Sequence, residues 1–113
     1  MSPIEEVRPW GKFRRFAKNE PVTVKILYVS QGKEFSLQKH EHRGEFWRVL
    51  SGEPLVTIGD EVTVAKRGDE FIAKVGVAHR ISAPEGDVEV LEISTGAFDE
   101  GDIVRLEDDY GRK

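Results

Sequence analysis

Short runs of alternating apolar and polar residues recur along the chain, and no apolar helical period persists over three turns. These runs are rich in β-branched and aromatic residues, which is typical of strands. Turn sequences such as Gln31-Gly32, Ser51-Gly52 and Gly59-Asp60 separate them. The pattern predicts strands at Lys12–Phe16, Val22–Ser30, Glu34–Gln38, Glu45–Leu50, Leu55–Ile58, Glu61–Ala65, Glu70–Ala73, Ala78–Ser82 and Val88–Ser94.

Many short antiparallel strands within 113 residues leave two main architectures, a β-sandwich or a closed barrel of the jelly-roll type. No linker composition or fixed-period repeat divides the chain, so we expect one all-β domain over residues 1–113. The tail from Phe98 to Lys113 is polar and acidic but retains apolar residues such as Ile103 and Leu106. We therefore predict that this tail packs over the barrel.

Charge and composition exclude several classes of function. The formal net charge is −4, from 17 basic and 21 acidic residues, which argues against nucleic acid as the main partner. The absence of cysteine excludes disulfides, thiolate metal sites and cysteine nucleophiles. No apolar run is long enough to cross a bilayer and the N-terminus lacks a signal peptide, so we expect a cytoplasmic protein without a membrane partner.

The three histidines of the chain lie in two places, His40-Glu41-His42 and His79. Residues two apart on a strand point to the same face, so His40 and His42 can direct their imidazoles to one point. Glu45 follows a short hairpin and can add a carboxylate, and His79 can add a fourth ligand. We predict one divalent metal ion on this set, with Zn²⁺ as the working choice and Mn²⁺, Fe²⁺, Ni²⁺ or Co²⁺ also suited to it.

Two segments resemble the conserved motifs of cupins. Residues 32–52 contain His40, His42 and Glu45 in the order of the first motif, followed by Gly52. Residues 68–79 resemble the second motif, which ends in a histidine. The resemblance implies a double-stranded β-helix, a jelly-roll barrel with these metal ligands inside it.

A closer resemblance covers nearly the whole chain. The string Arg8-Pro9-Trp10-Gly11, residues 36–52 with Gln-x-His-x-His-Arg-x-Glu-x-Trp, and residues 101–112 are similar to the cupin domain of type II mannose-6-phosphate isomerases. The resemblance implies metal-dependent interconversion of mannose 6-phosphate and fructose 6-phosphate. In many members this domain follows a sugar-nucleotidyltransferase domain, so a separate sugar nucleotidyltransferase is a candidate partner beside the small phosphorylated sugar.

Such an isomerase must polarise a carbonyl, move a proton between C2 and C1 through an enediol, and hold a phosphate. The metal can meet the first need. The base could be a metal-bound water, Glu92 or Lys25, and the sequence does not choose among them. Arg43 is a further catalytic candidate that can reach the mouth of the barrel.

Substrate contacts are predicted from residue type and strand parity. Arg80, Arg105 and Arg112 are further candidates for the phosphate. Gln38 and Trp47 share the inward parity of the metal ligands. Gln38 can bond sugar hydroxyls or ligate the metal, and Trp47 either forms a pocket wall or packs in the core.

Two other functions fit the same ligand set. One is an Fe(II) oxygenase, which an apolar pocket would favour, whereas an arginine cluster at the mouth would favour the isomerase. The other is a sugar-binding module without turnover. We also expect a homodimer formed through edge strands, with Lys12–Phe16 and the acidic tail as its surface.

Overall fold

The computed structural model describes residues 3–96, 99 and 101–111. Its strands are β1 (Ile4–Arg8), β2 (Gly11–Arg15), β3 (Val22–Val29), β4 (Leu37–Lys39), β5 (Arg43–Ser51), β6 (Leu55–Ile58), β7 (Glu61–Val64), β8 (Glu70–Ala73), β9 (His79–Ser82), β10 (Val88–Gly96) and β11 (Val104–Glu107). The expected all-β fold is confirmed. Within the described part, no helix is long and apolar enough to cross a bilayer.

The strands form three antiparallel sheets. One has two strands, β1-β2, one has four in the order β3-β10-β5-β8, and one has five in the order β11-β4-β9-β6-β7. A core cluster of buried residues joins the two larger sheets, which both contribute to it: Val29, Trp47, Val49, Val56, Ala65, Ile81, Ala83, Val88 and Val90. The strands thus enclose an apolar interior, as the alternating pattern predicts.

The buried face changes character along the strands of the four-stranded sheet. On β10 the buried residues run from Val88 and Val90 to Glu92 and Ser94, and β5 changes in the same way toward Glu45. Buried charged groups are costly unless they are paired or bind a ligand. This polar end of the interior is therefore where a functional site is expected.

The hairpin of β1 and β2 packs on the outer face of the four-stranded sheet. The ring of Phe16 lies 4.9 Å from that of Phe46, which is 1% exposed. Arg14 donates two hydrogen bonds to Glu70 of β8, and Arg48 donates a third. The region proposed from sequence as a dimer surface, Lys12–Phe16, therefore makes contacts within its own chain.

Apolar side chains are exposed on β3 and on the first hairpin. β3 is an edge strand of its sheet, and its outward residues are solvent-exposed, as are several on the first hairpin. These residues are Ile4, Val7, Trp10, Val22, Val24, Ile26 and Tyr28. A homodimer stays a prediction, and these are among the exposed apolar residues that it could bury.

The described part of the tail packs on the barrel, as predicted. β11 pairs with β4, and Arg80 of β9 donates hydrogen bonds to the side chain and the backbone of Glu107. The Tyr110 hydroxyl donates to the carbonyl of Glu34 at 2.9 Å. Phe98, Arg112 and Lys113 lie outside the described residues.

Gly52 occupies a position where a Cβ atom would clash. Its φ is +80°, and a Cβ would lie 2.5 Å from the Asp87 carbonyl oxygen. Gly32 has a φ of +78° but open space around it, so Gly32→Ala tests backbone strain alone. We expect that strain to cost about 1–2 kcal/mol in either variant, and Gly52→Ala to lose roughly 1–3 kcal/mol more. Urea unfolding of both variants measures the difference, and equal losses would contradict the clash.

Glu70 links the hairpin to the barrel as a carboxylate. Hydrogen bonds from Arg14 lower its pKa below 4.5, against the opposing effect of burial, and Arg48 adds to the lowering. A carboxylate with a depressed folded-state pKa stabilises the fold above its unfolded pKa and loses this contribution as the pH falls through the folded value. The stability difference between wild type and Glu70→Gln should therefore be constant near neutral pH and shrink below about pH 4.5. Thermal unfolding from pH 7 to 3 measures it, and a difference independent of pH would contradict the assignment.

Candidate metal centre and adjoining cavity

Strand register brings six of the predicted site residues into two cross-strand rows. In the four-stranded sheet, successive partners are Lys25, Glu92, Trp47 and Phe71. In the five-stranded sheet they are Arg105, Gln38, His79 and Ile58. The Trp47 and His79 rings lie 5.3 Å apart, so the two rows meet inside the barrel.

Three buried side chains form a cluster able to hold a metal ion. His40, Glu45 and His79 each offer one ligand atom, and these atoms lie within 4.8 Å of one another. The Nε2 atom of His40 is 3.1 Å from Oε1 of Glu45, and Nε2 of His79 is 3.4 Å from Oε2. Each of the three residues is at most 2% exposed.

The hydrogen bonds of the two imidazoles fit metal coordination. Nδ1 of His40 donates to the Asp102 carbonyl at 2.6 Å, and Nδ1 of His79 donates to the Val77 carbonyl at 3.0 Å. This assignment leaves Nε2 of each ring directed at Glu45. Among the described residues, Nε2 of His79 has no hydrogen-bond partner although it is buried. Metal-binding histidines typically bond a carbonyl through their other nitrogen, so the residues fit a divalent ion.

The protonation states of His79 and Glu45 favour the same interpretation. Burial lowers the pKa of His79 and so favours the neutral imidazole that binds metals. Burial also opposes ionisation of Glu45, but its contacts with His40 and His79 outweigh this effect and lower the pKa of Glu45, which favours the carboxylate. For His40, burial is outweighed by its bonds to Glu45 and Asp102, which raise its pKa.

A second carboxyl group lies beside the cluster. The indole N–H of Trp47 is 3.2 Å from Oε2 of Glu45 and 3.3 Å from Oε2 of Glu92. Burial, followed by the negative charge of Glu45, raises the pKa of Glu92. Trp47 is therefore both a core residue and the hydrogen-bond donor that holds the two carboxyl groups together.

His42 lies outside the cluster, contrary to the placement expected from sequence. β4 ends at Lys39, and the chain bends at residues 41 and 42, so the strand rule that residues two apart share a face does not apply there. His40 is 1% exposed, whereas His42 is solvent-exposed. The structure thus brings together three of the four predicted metal ligands.

Arg43 is buried against the cluster. Its Nη2 lies 3.2 Å from Nε2 of His40, its Nε lies 3.4 Å from Oε1 of Glu45, and its Nη1 donates to the Asp99 carbonyl at 3.3 Å. A fixed positive charge beside Glu45 can stabilise an anionic ligand or intermediate bound at the cluster.

A cavity of about 230 Å³ opens beside the metal cluster. Residues from both cross-strand rows line it with parts of the tail: Lys25, Leu27, Phe35, Gln38, Arg43, Glu45, Glu92, Ile103 and Arg105. Nε of Arg105 is buried and has no hydrogen-bond partner among the described residues. The cavity therefore combines two carboxyl groups with three basic side chains.

Arg80 does not line this cavity. Its guanidinium donates to the Phe35 carbonyl at 2.9 Å and pairs with Glu34 and Glu107. Sequence reasoning missed the contribution of Asp102, whose carbonyl oxygen binds His40 and whose carboxylate binds the backbone of the following turn. The sequence pointed to Asp102 only through the Gly101–Arg112 string of the family resemblance. It could not indicate the contact with the turn, because that contact joins residues about 60 positions apart.

The fold is the double-stranded β-helix of the cupins. A conserved protein with a double-stranded beta-helix domain from Klebsiella pneumoniae superposes with a TM-score of 0.68, over 94% of this chain and 85% of that chain, at 23% identity. The chain belongs to the family described as Mannose-6-phosphate isomerase C-terminal, which matches residues 3–108. The cupin resemblance drawn from the two motifs is confirmed.

Curated relatives are longer than this chain. Xanthan biosynthesis protein XanB of Xanthomonas campestris is 40% identical over 107 residues, which are 93% of this chain and 23% of that protein. Mannose-1-phosphate guanylyltransferase ManC of Salmonella typhimurium is 36% identical over 110 residues, or 96% of this chain and 23% of that protein. The chain thus spans about a quarter of the length of these relatives.

Proposed function

We propose that the domain is a metal-dependent aldose–ketose isomerase that interconverts mannose 6-phosphate and fructose 6-phosphate. The observation that carries the proposal is the cavity in which the metal cluster, a second carboxyl group and three basic side chains meet. The family description, Mannose-6-phosphate isomerase C-terminal, supports the proposal. The cavity volume of about 230 Å³ is below the range of roughly 300–1,000 Å³ typical of drug-sized ligands, which suits a small substrate.

The ligands of the proposed ion are His40, Glu45 and His79, and Gln38 is placed to complete the set because its strand position pairs with that of His79. Zn²⁺ suits imidazole and carboxylate donors, and we take it as the resident ion. When bound, the ion supplies a Lewis acid that polarises the sugar carbonyl.

Glu92 is the proposed base. Its carboxylate removes the proton from C2 of the open-chain aldose and returns a proton to C1, while the hydroxyl proton moves from O2 to O1. Trp47 holds Glu92 next to Glu45, so the base lies at the cluster that would bind the C1 and C2 oxygens. Arg43 stabilises the negative charge that develops on these oxygens in the enediolate.

Arg105 and Lys25 are proposed to bind the phosphate. Both line the cavity, and the buried Nε of Arg105 offers a donor that no described residue satisfies. An arginine fork matches the oxygens of a phosphate, and a lysine adds a point charge. Arg80 is left out of the proposal because its guanidinium is bound by Glu34, Phe35 and Glu107 on another side of β9.

The cavity lining favours the isomerase over the oxygenase alternative. An oxygenase would be served by an apolar pocket without fixed cations, whereas Lys25, Arg43 and Arg105 all line this one. A sugar-binding module without turnover would share the cations and the cluster. Activity measurement is needed to separate that alternative from the isomerase.

The test is conversion of mannose 6-phosphate to fructose 6-phosphate by metal-stripped protein reloaded in turn with Zn²⁺, Mn²⁺, Co²⁺, Ni²⁺ and Fe²⁺. We expect turnover with at least one ion and its loss in the His40→Ala, His79→Ala double variant. Stoichiometric metal binding without turnover under any condition would overturn the isomerase and support the binding module.

The relatives suggest a partner activity. ManC is named a mannose-1-phosphate guanylyltransferase, and this chain matches only 23% of its length. We propose that the domain works beside a sugar nucleotidyltransferase that consumes sugar phosphate derived from its reaction.

A further inference from the structure

Asp102 forms three hydrogen bonds with the turn that carries His40. Its carboxylate accepts from the backbone N–H of Glu41 at 2.9 Å through Oδ1, and from that of His42 at 3.0 Å through Oδ2. Its backbone carbonyl accepts from Nδ1 of His40 at 2.6 Å. One residue of the tail thus holds the backbone of the turn and the imidazole at the same time.

We propose that Asp102 is a positioning residue that sets the orientation of His40 for metal binding. This inference rests on the metal centre of the proposed function. Outer-shell partners of this kind fix the tautomer and the rotation of a ligating imidazole. Here the Asp102 carboxylate fixes the backbone of the turn. The fixed backbone then keeps the His40 ring against the Asp102 carbonyl.

Strand pairing does not hold the turn. β4 ends at Lys39 and β5 begins at Arg43, so residues 40–42 lie between the two ladders. The N–H of Gly76 donates to the His40 carbonyl at 2.8 Å and so fixes the backbone at one point. This bond leaves the imidazole free to rotate. Arg43 and Glu45 contact its Nε2 atom, and Asp102 supplies the contact at Nδ1.

The tail segment serves the cavity as well as the turn. The Asp99 carbonyl accepts a hydrogen bond from Arg43, and Ile103 and Arg105 line the cavity on either side of Val104. Asp102 lies between these contacts. Displacing Asp102 should therefore affect the metal site more than the barrel core, because the core cluster contains no tail residue among those described.

The experiment measures the affinity of the metal-stripped protein for Zn²⁺ by competition with a chromophoric chelator. Asp102→Ala removes both carboxylate bonds and should lower the affinity about 10- to 100-fold. Asp102→Asn should lose less, because its amide oxygen can still accept one N–H. Asp109→Asn makes a comparable change at an exposed residue of the tail and should bind Zn²⁺ as the wild type does.

A second background separates positioning from a general loss of stability. If Asp102 acts through His40, Asp102→Ala should cause no further loss of affinity in a His40→Ala protein. Equal losses in both backgrounds, or unchanged affinity in a folded Asp102→Ala protein, would overturn the proposal. A wild type that binds Zn²⁺ without isomerase turnover would overturn only the isomerase, whereas a wild type that binds no metal would overturn both.

Discussion

Replacing Glu92 by glutamine is expected to lower kcat for isomerisation by about 10²–10⁴-fold, the usual contribution of a general base. Glutamine keeps the shape of the side chain and a hydrogen-bonding group for Trp47, but it cannot accept a proton from C2. KM should change little, because the proposed phosphate contacts belong to Arg105 and Lys25. Steady-state formation of fructose 6-phosphate by the metal-loaded variant measures the effect.

Glu89→Gln provides the control on the same strand. Glu89 lies three residues before Glu92 on β10, with its side chain on the opposite face. This variant should retain the wild-type kcat. A loss of less than about tenfold in Glu92→Gln, well below the range for a general base, would move that role to Lys25 or to a water on the metal.

Replacing Glu45 by glutamine should abolish turnover and weaken Zn²⁺ binding. Glu45 is the anionic member of the cluster, and its two oxygens face the Nε2 atoms of His40 and His79. Removal of a direct ligand should exceed the loss of about 10- to 100-fold that is typical for outer-shell partners. Zn²⁺ titration against a competing chelator gives the affinity, and thermal unfolding verifies the fold.

Glu41→Gln is the matched control, since Glu41 precedes Glu45 by one short turn and its side chain is exposed. It should bind Zn²⁺ with wild-type affinity. If Glu45→Gln also bound Zn²⁺ as tightly as the wild type, the ion would not be held at the buried cluster, and exposed His42 would have to be tested as a ligand.

Much of the site could be predicted because strand alternation is local. Glu45 and Trp47 on β5 share a buried face, as their spacing predicts. His79 and Arg80 are neighbours on β9, and only His79 reaches the cluster. Wherever the chain is a regular strand, parity in the sequence therefore predicts which side chains meet inside the barrel.

The errors occur where the backbone leaves the strand or where contacts are distant in sequence. His42 was placed inward by a period of two, but the chain turns after Lys39. β1 was missed because the acidic pair Glu5-Glu6 interrupts the alternation of apolar and polar residues. The strand forms nevertheless, because it pairs with β2. Asp102 could not be assigned a partner, because no local pattern indicates which turn a tail residue will contact.

Asp102 and Arg105 lie near the end of the described residues, and this affects the sequence in which the parts of the site come together. Synthesis proceeds from the N-terminus, and segments made first can begin to fold first. β1 to β10 and all three clustered ligands precede the segment that orients His40 and contributes Arg105 to the cavity. We therefore expect the barrel strands to bring the three clustered residues together first, and the proposed ion to be held more tightly once the tail has docked.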